Sequence, residues 1–246
     1  MSGENLEGFT GYRSDFPYHD ENQLMLAWYA ERLAGSLQRR GARRVLSLGI
    51  GHTVVSRRLL GLAARGDFAY SVVEGSAERI AELRAAVALP PGAQVVQGYF
   101  EDFVPSAPVD AIEMGFVLEH VQEPEALVAR YRDFLVKDGL LAIAVPNARS
   151  LHRLAGARAG LLDDLYRLSE HDLALGHRRY FDKDSLLRLV AGAGLRVLAC
   201  EGILLKCLTT AQLASLKLEP RVMQAFCELG AGYPEIANAI YLEACR

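Results

Sequence analysis

The most informative stretch of the sequence reads Arg44-Val45-Leu46-Ser47-Leu48-Gly49-Ile50-Gly51-His52-Thr53. A short apolar run ends in glycine and is followed by helical periodicity, which predicts a buried parallel strand and a tight turn into a helix. Glycines in such a turn let a ligand approach the backbone without a Cβ in the way. A dinucleotide fingerprint needs a third glycine, but position 54 is Val54, which disfavours a nicotinamide cofactor.

The same alternation of strands and helices continues along the chain. Strands are predicted at 44–49, 68–74, 94–97, 109–114, 140–145, 195–201 and 238–244, and helices at 21–40, 53–64, 77–87, 124–134 and 184–193. Such βαβ units form an α/β, doubly wound parallel sheet with helices on both faces, and ligands bind at the carboxyl ends of its strands.

Two segments stand apart from this repeat. Residues 1–20 are predicted to form an irregular segment, which covers the ligand site together with the helix that ends at residue 40. Residues 41–246 are predicted to form the main domain. The connection 147–181 between strands five and six is longer than ordinary αβ loops. It predicts a partly helical insertion that caps the pocket.

Composition excludes several classes of protein. Among 246 residues the net charge is −3, which gives little attraction for nucleic acid. No run approaches a membrane span, and the N-terminus lacks the basic and apolar regions of a signal peptide, so we expect a cytoplasmic protein. Cys200, Cys207, Cys227 and Cys245 form no C-x-x-C pair, so the cysteines predict neither a metal site nor a disulfide framework.

Three further strand ends carry residues suited to a nucleoside. Glu74 ends the second strand, where a carboxylate can accept hydrogen bonds from two ribose hydroxyls. In the segment Gly98–Asp102, Phe100 offers a wall for a flat base, and Glu101 or Asp102 offers an acceptor for its amino group. At the fourth strand end, Gly115 lets a ligand chain pass close to the backbone.

Together these motifs resemble the class I S-adenosylmethionine-dependent methyltransferases over residues 40–205. Similar motifs include Leu118-Glu119-His120 after strand four, Asp138-Gly139-Leu140-Leu141, and Ala193-Gly194-Leu195. The resemblance implies a seven-stranded, mostly parallel sheet with the last strand antiparallel. It implies S-adenosylmethionine as cofactor and S-adenosylhomocysteine as product. The implied cofactor-binding residues are Gly49, Gly51, His52, Glu74, Gly75, Tyr99, Phe100, Glu101, Gly115 and Phe116.

The chain departs from the family pattern at three positions. Ser47 stands where an acidic residue is usual, His52 where a small residue is usual, and Tyr99 where aspartate is common. Each departure removes or weakens a polar contact with the cofactor. Glu101 or Asp102 could take over the adenine contact.

A narrower resemblance covers Pro146–Arg153 and Gly176–Phe181, with Lys206 after strand six. These segments are similar to methyltransferases of surface-glycan and secondary-metabolite pathways, and to ubiquinone-type O-methyltransferases. The resemblance implies methyl transfer to an oxygen or nitrogen of a small molecule such as a sugar, a glycan precursor or a secondary metabolite.

Such an acceptor must lose a proton, so a base helps. We rank His177 first, then His120, then His152. For acceptor binding the predicted residues are Asn147, Arg153, Arg178, Arg179 and Tyr18, because arginine holds carboxylates or phosphates well. Tyr12 and Trp28 either close over the cofactor or pack in the core. No metal is expected.

The sequence is also compatible with other functions. One is a degenerate methyltransferase fold that acts as a binding or regulatory protein, favoured by Ser47, His52 and Tyr99. Another is a Rossmann oxidoreductase, and a third is a nucleic-acid methyltransferase. Aromatic residues near the N-terminus would support a homodimer.

Overall fold

The computed structural model describes residues 15–246, so the predicted irregular segment before Asp15, including Tyr12, lies outside the described residues. The helices are α1 (His19–Arg40), α2 (Val54–Ala64), α3 (Ala77–Ala86), α4 (Pro124–Asp133), α5 (Leu151–Arg158), α6 (Glu170–Ala174), α7 (Lys183–Gly192), α8 (Thr210–Ser215) and α9 (Pro220–Gly230). The strands are β1 (Arg44–Leu48), β2 (Ala69–Glu74), β3 (Ala93–Gln97), β4 (Val109–Gly115), β5 (Leu135–Pro146), β6 (Arg196–Ile203) and β7 (Ala239–Cys245).

The seven strands form one sheet in the order β3-β2-β1-β4-β5-β7-β6. The pairs among β1 to β5 are parallel, whereas β7 runs antiparallel to β5 and β6. This confirms the predicted doubly wound fold with an antiparallel last strand. All seven predicted strands are present; β5 begins five residues earlier than predicted, and the other ends lie within two residues of the predicted ones.

Each face of the sheet is buried under helices. On one face α1 and α2 pack over a core that includes Tyr29, Leu59 and Tyr70. On the other face α4 and α7 pack over a core that includes Tyr131 and Leu186. Because both faces are covered, the central strands are apolar along nearly their whole length.

Two local features differ from the prediction. The turn at 137–139 does not precede β5 but lies inside it, because Val109 pairs with Leu135 while Ala111 already pairs with Leu140. The extra residues form a bulge in which Asp138 has a φ of 60°. Helices α8 and α9 were not predicted, although Thr209 and Gln212 form a capping box at the start of α8.

Helix α9 packs unusually close to β6. A Cβ at Gly202 on β6 would overlap the carbonyl oxygen of Gly230 and the Cβ of Ala237. Two glycines therefore allow the helix backbone to approach the strand. Within residues 15–246, no helix combines the length and apolar character that crossing a membrane requires.

Candidate active site

The turn after β1 forms the floor of the site. Gly49 and Gly51 have φ values of 81° and 53°, which L side chains rarely adopt. The Glu74 carboxylate accepts hydrogen bonds from the Ile50 N–H at 2.9 Å and the Ser76 N–H at 2.8 Å. Glu74 therefore ties the turn after β1 to the turn after β2 and still has lone pairs on both oxygens.

A cavity of about 990 Å³ opens above this floor, at the carboxyl ends of the strands. All ten predicted cofactor-binding residues line it: Gly49, Gly51, His52, Glu74, Gly75, Tyr99, Phe100, Glu101, Gly115 and Phe116. The opposite wall comes from the segment 147–181, which contains α5 and α6, and from residues of α1. One cavity thus joins the predicted cofactor side to the cap side.

Phe100 and His52 give the cofactor side its apolar and neutral character. Phe100 is half-buried, and its carbonyl accepts a hydrogen bond from the Tyr131 hydroxyl at 2.9 Å. Burial, aided by the charges of His19 and Arg79, lowers the pKa of His52 to about 4. His52 is therefore neutral at pH 7. Tyr99, where the family often has aspartate, is exposed.

The cap side contains a pair formed by His177 and Asp172. The Nδ1 atom of His177 lies 3.2 Å from Oδ1 of Asp172, and both side chains are less than a tenth exposed. Asp172 also accepts hydrogen bonds from the Ser169 N–H and hydroxyl and from the Tyr180 hydroxyl. Burial alone would raise the pKa of Asp172, but the nearby His177 and the hydrogen bonds from Ser169 outweigh it and lower the pKa to about 2.

Glu119 and His120, which follow β4, lie beside this pair. The rings of His120 and His177 meet edge to face with centroids 4.9 Å apart. Burial lowers the pKa of His120 to about 3 and raises the pKa of Glu119 to about 7. Neither oxygen of Glu119 has a hydrogen-bond partner among residues 15–246. Ligand atoms of Glu119, His120 and His177 lie within 4.8 Å of one another, a spacing that also suits a divalent cation.

His152 lies near a second buried ion pair on the cap side. Lys206 donates to Glu21 Oε1 at 2.6 Å and to the Thr210 hydroxyl at 2.8 Å, and Asn238 also donates to Glu21. Burial lowers the pKa of His152 to about 3, assisted by the charge of Lys206. This network connects α1 to the segment after β6.

The predicted acceptor-binding residues occupy different environments. Arg153 donates to the carbonyl oxygens of Leu165 and Arg167 and lies over the Tyr180 ring at 4.3 Å. The Asn147 amide donates to the carbonyl oxygens of Pro234, Glu235 and Ala237 and accepts from the Arg149 N–H. Both side chains line the cavity, but their polar groups already hold the surrounding loops.

The other three differ in exposure and contacts. Tyr18 lines the cavity and stacks on His171, with ring centroids 4.6 Å apart. Arg178 is exposed, lines the cavity and donates its backbone N–H to the Glu119 carbonyl. Arg179 donates to the Gln122 carbonyl instead and lies outside the cavity wall. Trp28 packs edge to face against Tyr241.

Sequence reasoning did not identify Asp172, Glu113 or Glu21 as part of the site. Asp172 lies in a helix of five residues, and its role depends on the later residue His177. Glu113 is a carboxylate within an apolar strand, and that break in the pattern is a signal that could have been used. Glu21 becomes significant only through Lys206, far away in sequence.

The sequence profile of the methyltransferase domain family matches residues 19–199. This is most of the chain, so the chain belongs to this family. This match confirms the predicted methyltransferase family, and a solved structure of the same fold contains S-adenosylhomocysteine, which supports the predicted cofactor. The match counts against the oxidoreductase alternative. A sequence search among curated proteins gives no match.

Solved structures share the fold at low sequence identity. An S-adenosylmethionine-dependent methyltransferase from Mesorhizobium loti has a TM-score of 0.60 and 16% identity, covering 88% of this chain and 96% of that chain. The N-methyltransferase NodS from Bradyrhizobium japonicum, with bound S-adenosylhomocysteine, has a TM-score of 0.55 and 10% identity, covering 95% of this chain and 89% of that chain. The [4+2]-cyclase SpnF has a TM-score of 0.56 and 18% identity, covering 88% of this chain and 80% of that chain. The fold is therefore shared by proteins with different activities.

Proposed function

We propose that this protein binds S-adenosylmethionine and transfers its methyl group to an oxygen or nitrogen of a small molecule. The observation that carries the proposal is the single cavity, which joins the glycine turn and Glu74 on one side to the His177–Asp172 pair on the other. Its volume lies at the upper end of the usual range for ligand sites, so it has room for a nucleoside cofactor and a small acceptor together.

The residues of the cofactor side fit the proposed cofactor. A Cβ at Gly49 would contact Phe100 and Val117 and would fill the space above the turn. Phe100 offers a wall for adenine, and Glu74 can accept hydrogen bonds from ribose hydroxyls while it holds the turn. Since His52 is neutral, it adds no positive charge beside a cationic ligand.

When bound, S-adenosylmethionine supplies a methyl group on a positively charged sulfur, which an acceptor oxygen or nitrogen attacks in line. The chain must align that acceptor and remove its proton. Nδ1 of His177 lies 3.2 Å from Asp172, within ion-pair distance but outside hydrogen-bond geometry, so Nε2 is the nitrogen that we assign to take the proton. Asp172 fixes the orientation of the ring and stabilises the imidazolium that forms.

Neighbouring residues support His177 rather than replace it. Tyr180 holds Asp172, and Arg153 in turn donates to the Tyr180 hydroxyl at 3.2 Å. His120 has a pKa of about 3, which makes it a weaker base at neutral pH than an unperturbed histidine. Glu119 lines the cavity with no partner among the described residues, so it is suited to accept a hydrogen bond from the acceptor.

Isothermal titration of S-adenosylmethionine and S-adenosylhomocysteine into the purified protein tests the cofactor. We expect dissociation constants on the order of micromolar, weakened about tenfold or more in Glu74→Gln, which keeps one acceptor for the turn but loses the charge. Glu125→Gln, an exposed residue on α4, is the matched control. An absence of binding by the wild-type protein would overturn the proposal.

Acceptors can then be sought by measuring the release of S-adenosylhomocysteine from a panel of hydroxylated and amine-bearing small molecules. Methylation of an oxygen or nitrogen by the wild-type protein supports the proposal. Cofactor binding with no methyl transfer to any class of acceptor would instead favour the binding-protein alternative.

A further inference from the structure

The buried carboxylate of Glu113 lies at the end of β4 and lines the cavity, but the mechanism above does not use it. Only 3% of the residue is exposed. Among residues 15–246 it forms no ion pair with a lysine, arginine or histidine. A buried carboxylate without a cationic partner is costly, so its retention calls for an explanation.

Uncharged donors hold Glu113 in one orientation. Its Oε1 atom accepts hydrogen bonds from the Tyr29 hydroxyl at 2.9 Å and from the Gly115 N–H at 2.6 Å. Both bonds end on Oε1, so neither uses Oε2. A Cβ at Gly115 would overlap both Glu113 and Tyr29, so this glycine is required for the arrangement.

Glu113 also lies directly across the sheet from Ser47. The two residues are Cα partners in the parallel pairing of β1 and β4. Ser47 is completely buried, and its hydroxyl has no hydrogen-bond partner within the described chain by distance and angle. The position on β1 that carries a hydroxyl is thus paired with a carboxylate on the neighbouring strand, and of the two residues Glu113 is the one that lines the cavity.

We propose that Glu113 binds the ammonium group of the amino-acid part of S-adenosylmethionine, in place of an acid at position 47. This inference rests on the proposed function and extends it to a residue that no motif identifies. The cofactor's ammonium group supplies the positive charge that the surrounding side chains do not.

The pKa of the Glu113 carboxyl agrees with this role. Burial raises the pKa of Glu113 to about 7, although the nearby Ser47 hydroxyl and the hydrogen bonds from Gly115 and Tyr29 oppose the shift. The titratable groups that face it are Tyr29 on α1 and Tyr70 on β2, and burial raises the pKa of both hydroxyls, so they stay neutral. A cationic ligand would favour the ionised carboxylate, and its affinity should fall as pH drops through 7.

Two probes separate this contact from the rest of the site. S-adenosylhomocysteine carries the amino-acid part with its ammonium and carboxylate groups, whereas 5′-methylthioadenosine is a nucleoside thioether that lacks both; because Glu113 is an acid, a loss confined to S-adenosylhomocysteine reports on the ammonium group. By isothermal titration at about pH 8, Glu113→Gln should weaken the binding of S-adenosylhomocysteine roughly 10- to 100-fold. The affinity for methylthioadenosine should stay within about twofold of the wild-type value. If the binding of both ligands is weakened equally, or if the binding of neither is weakened, the proposal is overturned.

Ser47→Asp added to Glu113→Gln provides a gain-of-function test, because it returns a carboxylate to the facing strand. We expect it to restore at least about half of the lost binding free energy for S-adenosylhomocysteine. No recovery in a folded double variant would contradict the proposed exchange of the acid between strands.

A wild-type measurement covers the case in which Glu113→Gln does not fold. Between about pH 8 and pH 6, the affinity for S-adenosylhomocysteine should fall relative to that for methylthioadenosine, because the carboxylate becomes protonated while the ammonium group stays charged. A constant ratio would overturn the proposal. If the wild-type protein binds neither probe, the proposed function itself fails.

Discussion

His177 is the residue on which the proposed chemistry depends most. We expect His177→Ala to lower kcat about 10²- to 10⁴-fold, because the acceptor then loses its base. Added imidazole should restore part of the rate, since the substitution leaves a space of the right shape. Binding of S-adenosylhomocysteine should stay within about twofold of wild type.

Glu170→Ala is the control for that measurement, because it is exposed on the same short helix as Asp172. It should keep wild-type kcat. A His177→Ala protein with full activity would remove the histidine from the mechanism. Loss of activity with no recovery in imidazole would point to a structural role.

Chelation distinguishes proton transfer from metal binding at Glu119, His120 and His177. The proposed reaction needs a base and no Lewis acid, so activity should survive dialysis against EDTA. Inactivation by EDTA that zinc or manganese reverses would reassign the three side chains as metal ligands.

The residues of the cofactor side were predictable because they follow directly from strand ends. Carboxyl ends of parallel strands meet at one edge of the sheet, so Gly49, Glu74 and Gly115 had to converge there. The partners of the base were not predictable in the same way. Asp172, on the short helix α6, and Tyr180, in the loop after it, act through contacts within the cap, and no local sequence pattern specifies which residue meets His177.

At the scale of elements, the contact between α9 and β6 has little tolerance for added volume. Gly202→Ala would place a methyl group against the Gly230 carbonyl and Ala237, so we expect a loss of about 2–4 kcal/mol in the free energy of unfolding. Chemical denaturation measures it. Gly192→Ala, at the end of α7 with nothing within 4 Å of the added Cβ, should change stability by less than about 1 kcal/mol.

The strands and long helices were predicted well because their apolar periodicity is strong. The bulge in β5 and the two helices after β6 were not. A bulge depends on the pairing with β4, which the sequence of β5 alone does not specify. Helix α9 begins with Pro220 at its first turn, a usable start signal, but its close packing depends on Gly202 in a different element.

At the scale of the whole molecule, the ion pair of Glu21 and Lys206 connects residues far apart in the chain. Lys206→Met should lower the free energy of unfolding by about 3–5 kcal/mol, because it leaves the Glu21 carboxylate buried without its cation. Glu21→Gln added to Lys206→Met should recover part of that loss. Urea unfolding of the wild type, both single variants and the double variant measures the coupling. If the loss of stability in the double variant equals the sum of the losses in the two single variants, the two residues are not coupled.

The position of β7 constrains how this protein can be made in the cell. Among the described residues, strand β6 pairs only with β7, and β7 alone joins it to β5. A nascent chain on the ribosome can pair β1 to β5 early, but β6 stays an unpaired edge until residues 239–245 have left the exit tunnel. During that interval the half-built sheet exposes strand edges at β5 and β6 to chaperones and to aggregation, so closure of the sheet has to wait for β7.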